Sequence, residues 1–151
     1  MIKVTFVCLG NICRSPMSEL VFKDLIKKQG YSNQFEVTSC ATSRYELGSP
    51  IYHKATETLK KHGITGSHIA RQIDTHDLKS DFILVMDSSN YTDVLRINEI
   101  QKEKVHKLCD FTKNPRDVAD PWYTRDFETA YNDILDGCKS FLQYLKTNKL
   151  I

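Results

Sequence analysis

The sequence lacks any sign of paired cysteines. It has five, an odd number, with no Cys-x-x-Cys and no disulfide-framework spacing. Free thiols in a reducing cytoplasm are the expectation. Five histidines show no metal-ligand spacing, so neither a metal nor another cofactor is expected. No Gly-x-x-x-x-Gly-Lys-Ser/Thr occurs, which excludes a Walker-type nucleotide loop. No apolar run approaches a membrane span, and the apolar start is too short for a signal peptide. Neither sign of charge dominates: 21 basic against 19 acidic residues give a net charge of +2, too little to argue for nucleic acid or a membrane surface. Repeats, low-complexity tracts and linkers are absent as well. What remains is an ordinary globule, 151 residues with 40% hydrophobic content, enough for one domain with a real core.

One stretch stands out against this background, residues 3–16. Val4-Thr5-Phe6-Val7 is apolar and β-branched and reads as a buried strand. Ser15-Pro16-Met17-Ser18-Glu19 reads as a helix start, with Ser15 as N-cap, Pro16 in the first helical position and Glu19 as a first-turn carboxylate. A loop between a strand end and a helix N-terminus points its backbone N–H groups at a common centre, which suits an anion. Cys8 stands at the strand end and Arg14 at the far end of the loop. A thiolate there is stabilised by the helix N-terminus and by Arg14. The Arg14 fork matches phosphate oxygens two at a time. Gly10 and Asn11 tolerate left-handed dihedrals, and Ser15 places a hydroxyl near the sulfur. Cys-x5-Arg-Ser arises by chance in only about two per cent of chains of this size and cysteine content.

Further along, helical spacing of Met17, Leu20, Val21, Leu25 and Ile26 predicts a helix over 16–29. Strands are predicted over 35–40, 81–86 and 105–109. Helices are predicted over 53–62, from Asp87-Ser88 to about 97, and over 126–145. Residues 42–52 and 114–123 read as loops. Strands alternating with helices give an α/β class: a single-domain three-layer sandwich, with a four-stranded parallel twisted sheet and helices on both faces. Ligands in such sheets bind beyond the strand carboxyl ends at a topological switch point. Tyr45, Asp87 and Asp120 fall on loops that open at that rim.

Val7-Cys8-Leu9-Gly10-Asn11-Ile12-Cys13-Arg14-Ser15-Pro16 resembles the signature of the low-molecular-weight protein tyrosine phosphatases, and Asp120-Pro121-Trp122-Tyr123 resembles their second motif. The resemblance covers essentially the whole chain, 1–151. It implies a hydrolase in which Cys8 is the nucleophile, Arg14 binds phosphate with the backbone of Leu9, Gly10, Asn11, Ile12, Cys13 and Ser15, and Asp120 is the general acid. It also places Tyr45 on one wall of a substrate slot and Trp122 or Tyr123 on the other. His62, Ser39 and Ser15 match positions that hold the loop asparagine, here Asn11.

Each of these residues has a plainer reading. Asp120 before proline is also a common turn former, with Asp117 as a nearby rival. The three aromatics are also explained as half-buried packing. His62, at a helix C-terminus, also fits the favourable placing of positive charge there. Asp87 reads as a helix N-cap and structural support. Cys13 is either filler or, on the curled loop, the partner of Cys8 in a disulfide under oxidant. Cys40, Cys109 and Cys138 look like core packing.

The expected substrates are phosphotyrosine-containing proteins or small aryl phosphates, with inhibition by phosphate-like anions, in a monomer or weak homodimer. Two rivals differ in chemistry. An arsenate reductase of the same fold needs further cysteines to carry oxidation away from the nucleophile, and residues 87–97 contain none. A non-catalytic phosphotyrosine-binding module needs neither Cys8 nor Asp120.

Overall fold

The computed structural model describes residues 1–151. Strand β1 (Ile2–Cys8) leads through the loop into α1 (Arg14–Lys28) and on to β2 (Phe35–Ala41). After α2 (His53–Lys61) come β3 (Phe82–Val85), α3 (Ser88–Leu95) and β4 (Val105–Lys107). A one-turn helix, α4 (Pro121–Thr124), precedes the long α5 (Phe127–Thr147). The four strands form one parallel sheet in the order β2-β1-β3-β4. The chain leaves β1 for β2 on one side and later returns to pair β3 on the other. The switch point therefore falls at the carboxyl end of β1, at Cys8.

Strand alternation decides which layer receives each side chain. Val4, Phe6 and Cys8 face the larger core with residues of α1, α2 and α5, while Val7, Ile83 and Val85 face the smaller core with Val94 of α3. In the larger core the Phe22 ring packs against Phe6, Phe35 and Phe141 at 5.9, 5.3 and 5.6 Å between centroids. Cys40, Cys109 and Cys138 are buried, as packing predicts.

The boundaries differ from expectation in three informative places. Helix α1 starts at Arg14, and its N-cap is Cys13, with no side-chain cap. Ser15 lies inside the helix, so its hydroxyl is not used as a cap. Strand β4 stops at Lys107, because Leu108–Phe111 coils into a 3-10 turn that buries Leu108 and Cys109. The expected loop 114–123 ends in helix: Asp120 N-caps α4 through Trp122 N–H, and Pro121 opens it.

Candidate active site

The loop after β1 is turned inside out by its neighbours. The carbonyls of Cys8, Leu9 and Ile12 accept amides from outside it, from Thr42, Ser43 and Tyr52 at 3.0, 3.1 and 2.9 Å. With those carbonyls drawn outward, the loop amides are left for the inside, where the N-terminus of α1 also points. Cys8 Sγ sits at that centre. The Asn11 N–H donates to it at 3.2 Å, and Ser15 Oγ lies 3.0 Å away. Ser15 Oγ already accepts from Asn11 Nδ2 at 2.7 Å, so its own proton faces the sulfur at 3.0 Å or, at a longer 3.5 Å, Cys40 O.

Asn11 alone of the loop residues adopts the left-handed conformation, with φ of 59°. Gly10 does not, and a Cβ there would meet Glu46 Cγ at an ordinary 3.6 Å. Asn11 is held by every polar atom of its side chain. Nδ2 donates to Ser15 Oγ and, at 3.0 Å, to Ser39 Oγ, while Oδ1 accepts from Arg71 N–H at 3.1 Å and from His68 Nε2 at 2.6 Å. Behind them Ser39 donates to the buried Glu19 at 2.7 Å. Arg71 is fixed in turn by two bonds to the buried Asp77 carboxylate, both 2.8 Å.

The histidine in this network is therefore His68, not His62. His62 caps the carboxyl end of α2, stacks on Tyr131 of α5 at 3.8 Å and 8° between planes, and pairs with Glu128. It joins two helices away from the pocket. The extended segment after α2 runs beside the end of β2, where Ala41 N–H donates to Arg71 and Ile73 N–H to Ala41. That path carries His68, six residues on, to Asn11. Nothing in the local sequence favours one histidine over the other. Glu19, expected as a first-turn carboxylate, lies in the second turn because α1 starts at Arg14, and it serves the network instead.

Arg14 is buried and oriented by two carboxylates and a carbonyl. Nη1 donates to Asp87 Oδ2 and to Val118 O, both at 2.7 Å, and Nη2 reaches Asp120 Oδ2 at 3.4 Å. Burial alone would lower the Arg14 pKa. The Cys8 charge, the Asp87 hydrogen bond and the Asp120 charge outweigh it and push the value up, so the guanidinium stays charged. Asp87 also N-caps α3, its Oδ1 accepting from Asn90 N–H at 2.8 Å. Asp117 lies elsewhere, paired with Lys107 at 2.9 Å and half exposed.

The pocket above Cys8 holds about 560 Å³, counting the part open to solvent. Its floor is the loop 8–14. Its walls are Tyr45 and Glu46 on one side and Asp120, Trp122 and Tyr123 on the other. All three aromatics are more than 40% exposed, so none is spent on core packing. Cys13 lines the pocket as well, and burial, then the charges of Cys8 and Asp120, pushes its thiol up to about 12. No group of histidines, cysteines and carboxylates is placed to hold a metal ion.

A family model described as low molecular weight phosphotyrosine protein phosphatase matches residues 3–150. The chain belongs to that family. A Gallus gallus protein named low molecular weight phosphotyrosine protein phosphatase is 42% identical over 147 residues, 93% of each chain. Among solved structures, a protein tyrosine phosphatase from Entamoeba histolytica, crystallised with Hepes in its active site, superposes with a TM-score of 0.92 at 31% identity, covering 99% of both chains. DARP, a Drosophila arginine phosphatase, superposes with a TM-score of 0.88 at 30% identity, over 96% of this chain and 98% of its own. Proteins similar to this chain are thus named for more than one phosphorylated residue.

Proposed function

We propose that this protein hydrolyses phosphotyrosine, and small aryl phosphates, through a cysteinyl-phosphate intermediate. The observation that carries the reading is the setting of Cys8 Sγ. It receives the Asn11 amide at a helix N-terminus, in a pocket that also presents Arg14 and Asp120. Cys8 attacks phosphorus in line with the leaving oxygen. The inward loop amides of residues 9–15 and the Arg14 guanidinium bind the three equatorial oxygens, where charge must be stabilised. Asp120 gives its proton to the departing phenolate. The ionised carboxylate then takes a proton from the water that attacks the phosphocysteine, restoring the thiolate and releasing phosphate. The ring of the substrate lies between Tyr45 and the Trp122–Tyr123 wall. Arg14 and the loop dipoles supply the electrostatic work that a metal ion does in other phosphatases.

An arsenate reductase is not favoured, since α3 carries no cysteine and Cys40, Cys109 and Cys138 are packed in the cores. No helix is long and apolar enough to cross a membrane. Five unpaired thiols fit a reducing compartment, and we place the protein in the cytoplasm on that basis.

The test is steady-state turnover of a phosphotyrosine peptide, with a phosphoarginine peptide and arsenate as separate arms and chelator throughout. Turnover of the tyrosine peptide, blocked by phosphate and vanadate, is expected. Cys8→Ser should lose at least about three orders of magnitude in turnover while still binding vanadate. Turnover of phosphoarginine alone, or retention of activity by Cys8→Ser, would overturn the reading.

A further inference from the structure

Arg125 has no part in the site as described, yet it makes more contacts there than a surface residue needs. It ends α4 in a left-handed conformation, φ 61° and ψ 15°, which is unfavourable for a residue with a side chain. Its amide closes the turn onto Pro121 O at 2.9 Å. Its guanidinium donates to the Tyr52 hydroxyl at 2.9 Å and to Trp122 O at 3.3 Å. The same group lies 5.6 Å from the ring centre of Tyr52, 5.8 Å from Phe127 and 5.9 Å from Trp122. A planar fork is suited to stacking and bonding at once, which a lysine cannot do.

What these contacts join is the point. Helix α4 is a single turn of four residues, and of these only Pro121 is buried. One turn has little stability of its own. Its first boundary is Asp120, whose carboxylate caps it through Trp122 N–H at 3.0 Å. Its other boundary is Arg125. From Arg125 the connection passes to Tyr52, and the Tyr52 amide donates to Ile12 O at 2.9 Å, in the phosphate-binding loop itself. A continuous set of hydrogen bonds thus runs from that loop through Tyr52 and Arg125 to the turn that carries Asp120.

We infer that Arg125 is a positioning residue for the leaving-group proton: it fixes the Asp120 turn to the phosphate-binding loop through Tyr52. The inference rests on the reading of Asp120 as general acid. Arg125 touches no reacting atom. Its effect is to keep the carboxyl where the leaving oxygen will stand, and small displacements of such a group are costly.

The experiment measures kcat and KM on a phosphotyrosine peptide and on dinitrophenyl phosphate, whose acidic phenol leaves without a proton. The proteins are wild type, Arg125→Ala, Asp120→Ala and the double variant. Only the steps up to phenol release need the leaving-group proton, and kcat/KM reports those alone. Arg125→Ala should therefore lower kcat/KM on the peptide about tenfold and on the dinitrophenyl ester several-fold less; an effect on hydrolysis of the phosphocysteine lowers kcat equally on both. In the Asp120→Ala background it should cost nothing more, because no proton donor remains to be positioned. Tyr52→Phe keeps the ring and removes the hydroxyl, and should show the same selectivity at smaller amplitude. Equal losses of kcat/KM on the two esters, or additive losses in the double variant, would each overturn the role assigned to Arg125. If Asp120→Ala itself shows no preference between the esters, it is the general-acid reading that fails, and the single-variant data separate the two failures.

Discussion

Replacing Asn11 by alanine isolates the cost of holding the loop. Four hydrogen bonds go, but their consequences differ. Ser15 keeps Cys8 as a partner and Ser39 keeps Glu19, so neither hydroxyl is stranded. Arg71 N–H loses the acceptor that faces it, and His68 Nε2 is left with the longer contact to Ser39 Oγ at 3.4 Å. The one orphaned donor, Arg71 N–H, costs about 1–3 kcal/mol. An alanine held at φ near 59° adds about 1 kcal/mol. The sum is about 2–4 kcal/mol, a substantial part of the roughly 5–15 kcal/mol that stabilises a domain. Asn11→Gly loses the same bonds without the strain, and should be about 1 kcal/mol less destabilised than the alanine variant. Urea unfolding reads both. Turnover should fall in both, since the Asn11 amide that faces Cys8 is no longer held. Should Asn11→Ala lose less than about 1 kcal/mol, or should it prove more stable than the glycine variant, the account of the loop as a strained turn pinned by Asn11 is wrong.

Three further outcomes are expected. His68→Ala should lower kcat about tenfold by loosening the Asn11 side chain, whereas His62→Ala should leave kcat within about twofold and cost roughly 1 kcal/mol of stability through the lost stacking on Tyr131; the reverse pattern would restore His62 to the loop. Gly137→Ala should destabilise by about 1–3 kcal/mol, although alanine favours helices, because its Cβ would stand 2.6 Å from Leu108 Cγ in a packed core; a rise in the midpoint of thermal unfolding would refute this. Peroxide should inactivate the enzyme reversibly, with Cys13 attacking the sulfenic acid of Cys8 and expelling hydroxide as the disulfide forms. Because burial raises the Cys13 thiol pKa, and still does when Cys8 is an uncharged sulfenic acid, closure should quicken about tenfold per pH unit between pH 6 and 8; a flat profile, or full recovery by Cys13→Ser, would rule this out.

The sequence made legible what is consecutive in it. The strand, the loop and the helix that build the anion site occupy residues 2–28 without interruption, so periodicity and end signals suffice to place Cys8 and Arg14 at one centre. Asp87 was legible as an N-cap because capping is local, but its bond to Arg14 spans 73 residues and has no local signature. The network behind Asn11 shows the same limit. Ser39, His68 and Arg71 come together because the segment after α2 pairs with the end of β2. That pairing is set by tertiary packing, and a histidine six residues away could not be told apart by composition or spacing. Arg125 was invisible for a related reason: its aromatic neighbours Trp122 and Phe127 are local, but the Tyr52 ring and hydroxyl that tie it to the loop lie 73 residues away.

The contacts of Arg14 also order the events of the proposed reaction. Its Nη1 is held at 2.7 Å by both Asp87 and Val118, and Val118 is itself bonded to Met86 at the end of β3 at 2.8 Å. That edge of the fork is anchored to the sheet. The Nη2 contact to Asp120 is longer, at 3.4 Å, and reaches a carboxylate on a one-turn helix at the rim. A phosphate monoester entering the loop competes for the guanidinium, and it carries more charge and accepts through more oxygens than a single carboxylate. The weaker, outer contact is the one it displaces, while the inner edge keeps its direction. In the proposed reaction, Asp120 freed from Arg14 must first take up a proton, from solvent or from the entering phosphate monoanion, before it can give one to the leaving oxygen, so the Arg14 contact belongs to the ionised, empty pocket. After the phenol departs, Arg14 would stay with the phosphocysteine while the carboxylate, ionised again, accepts a proton from the attacking water.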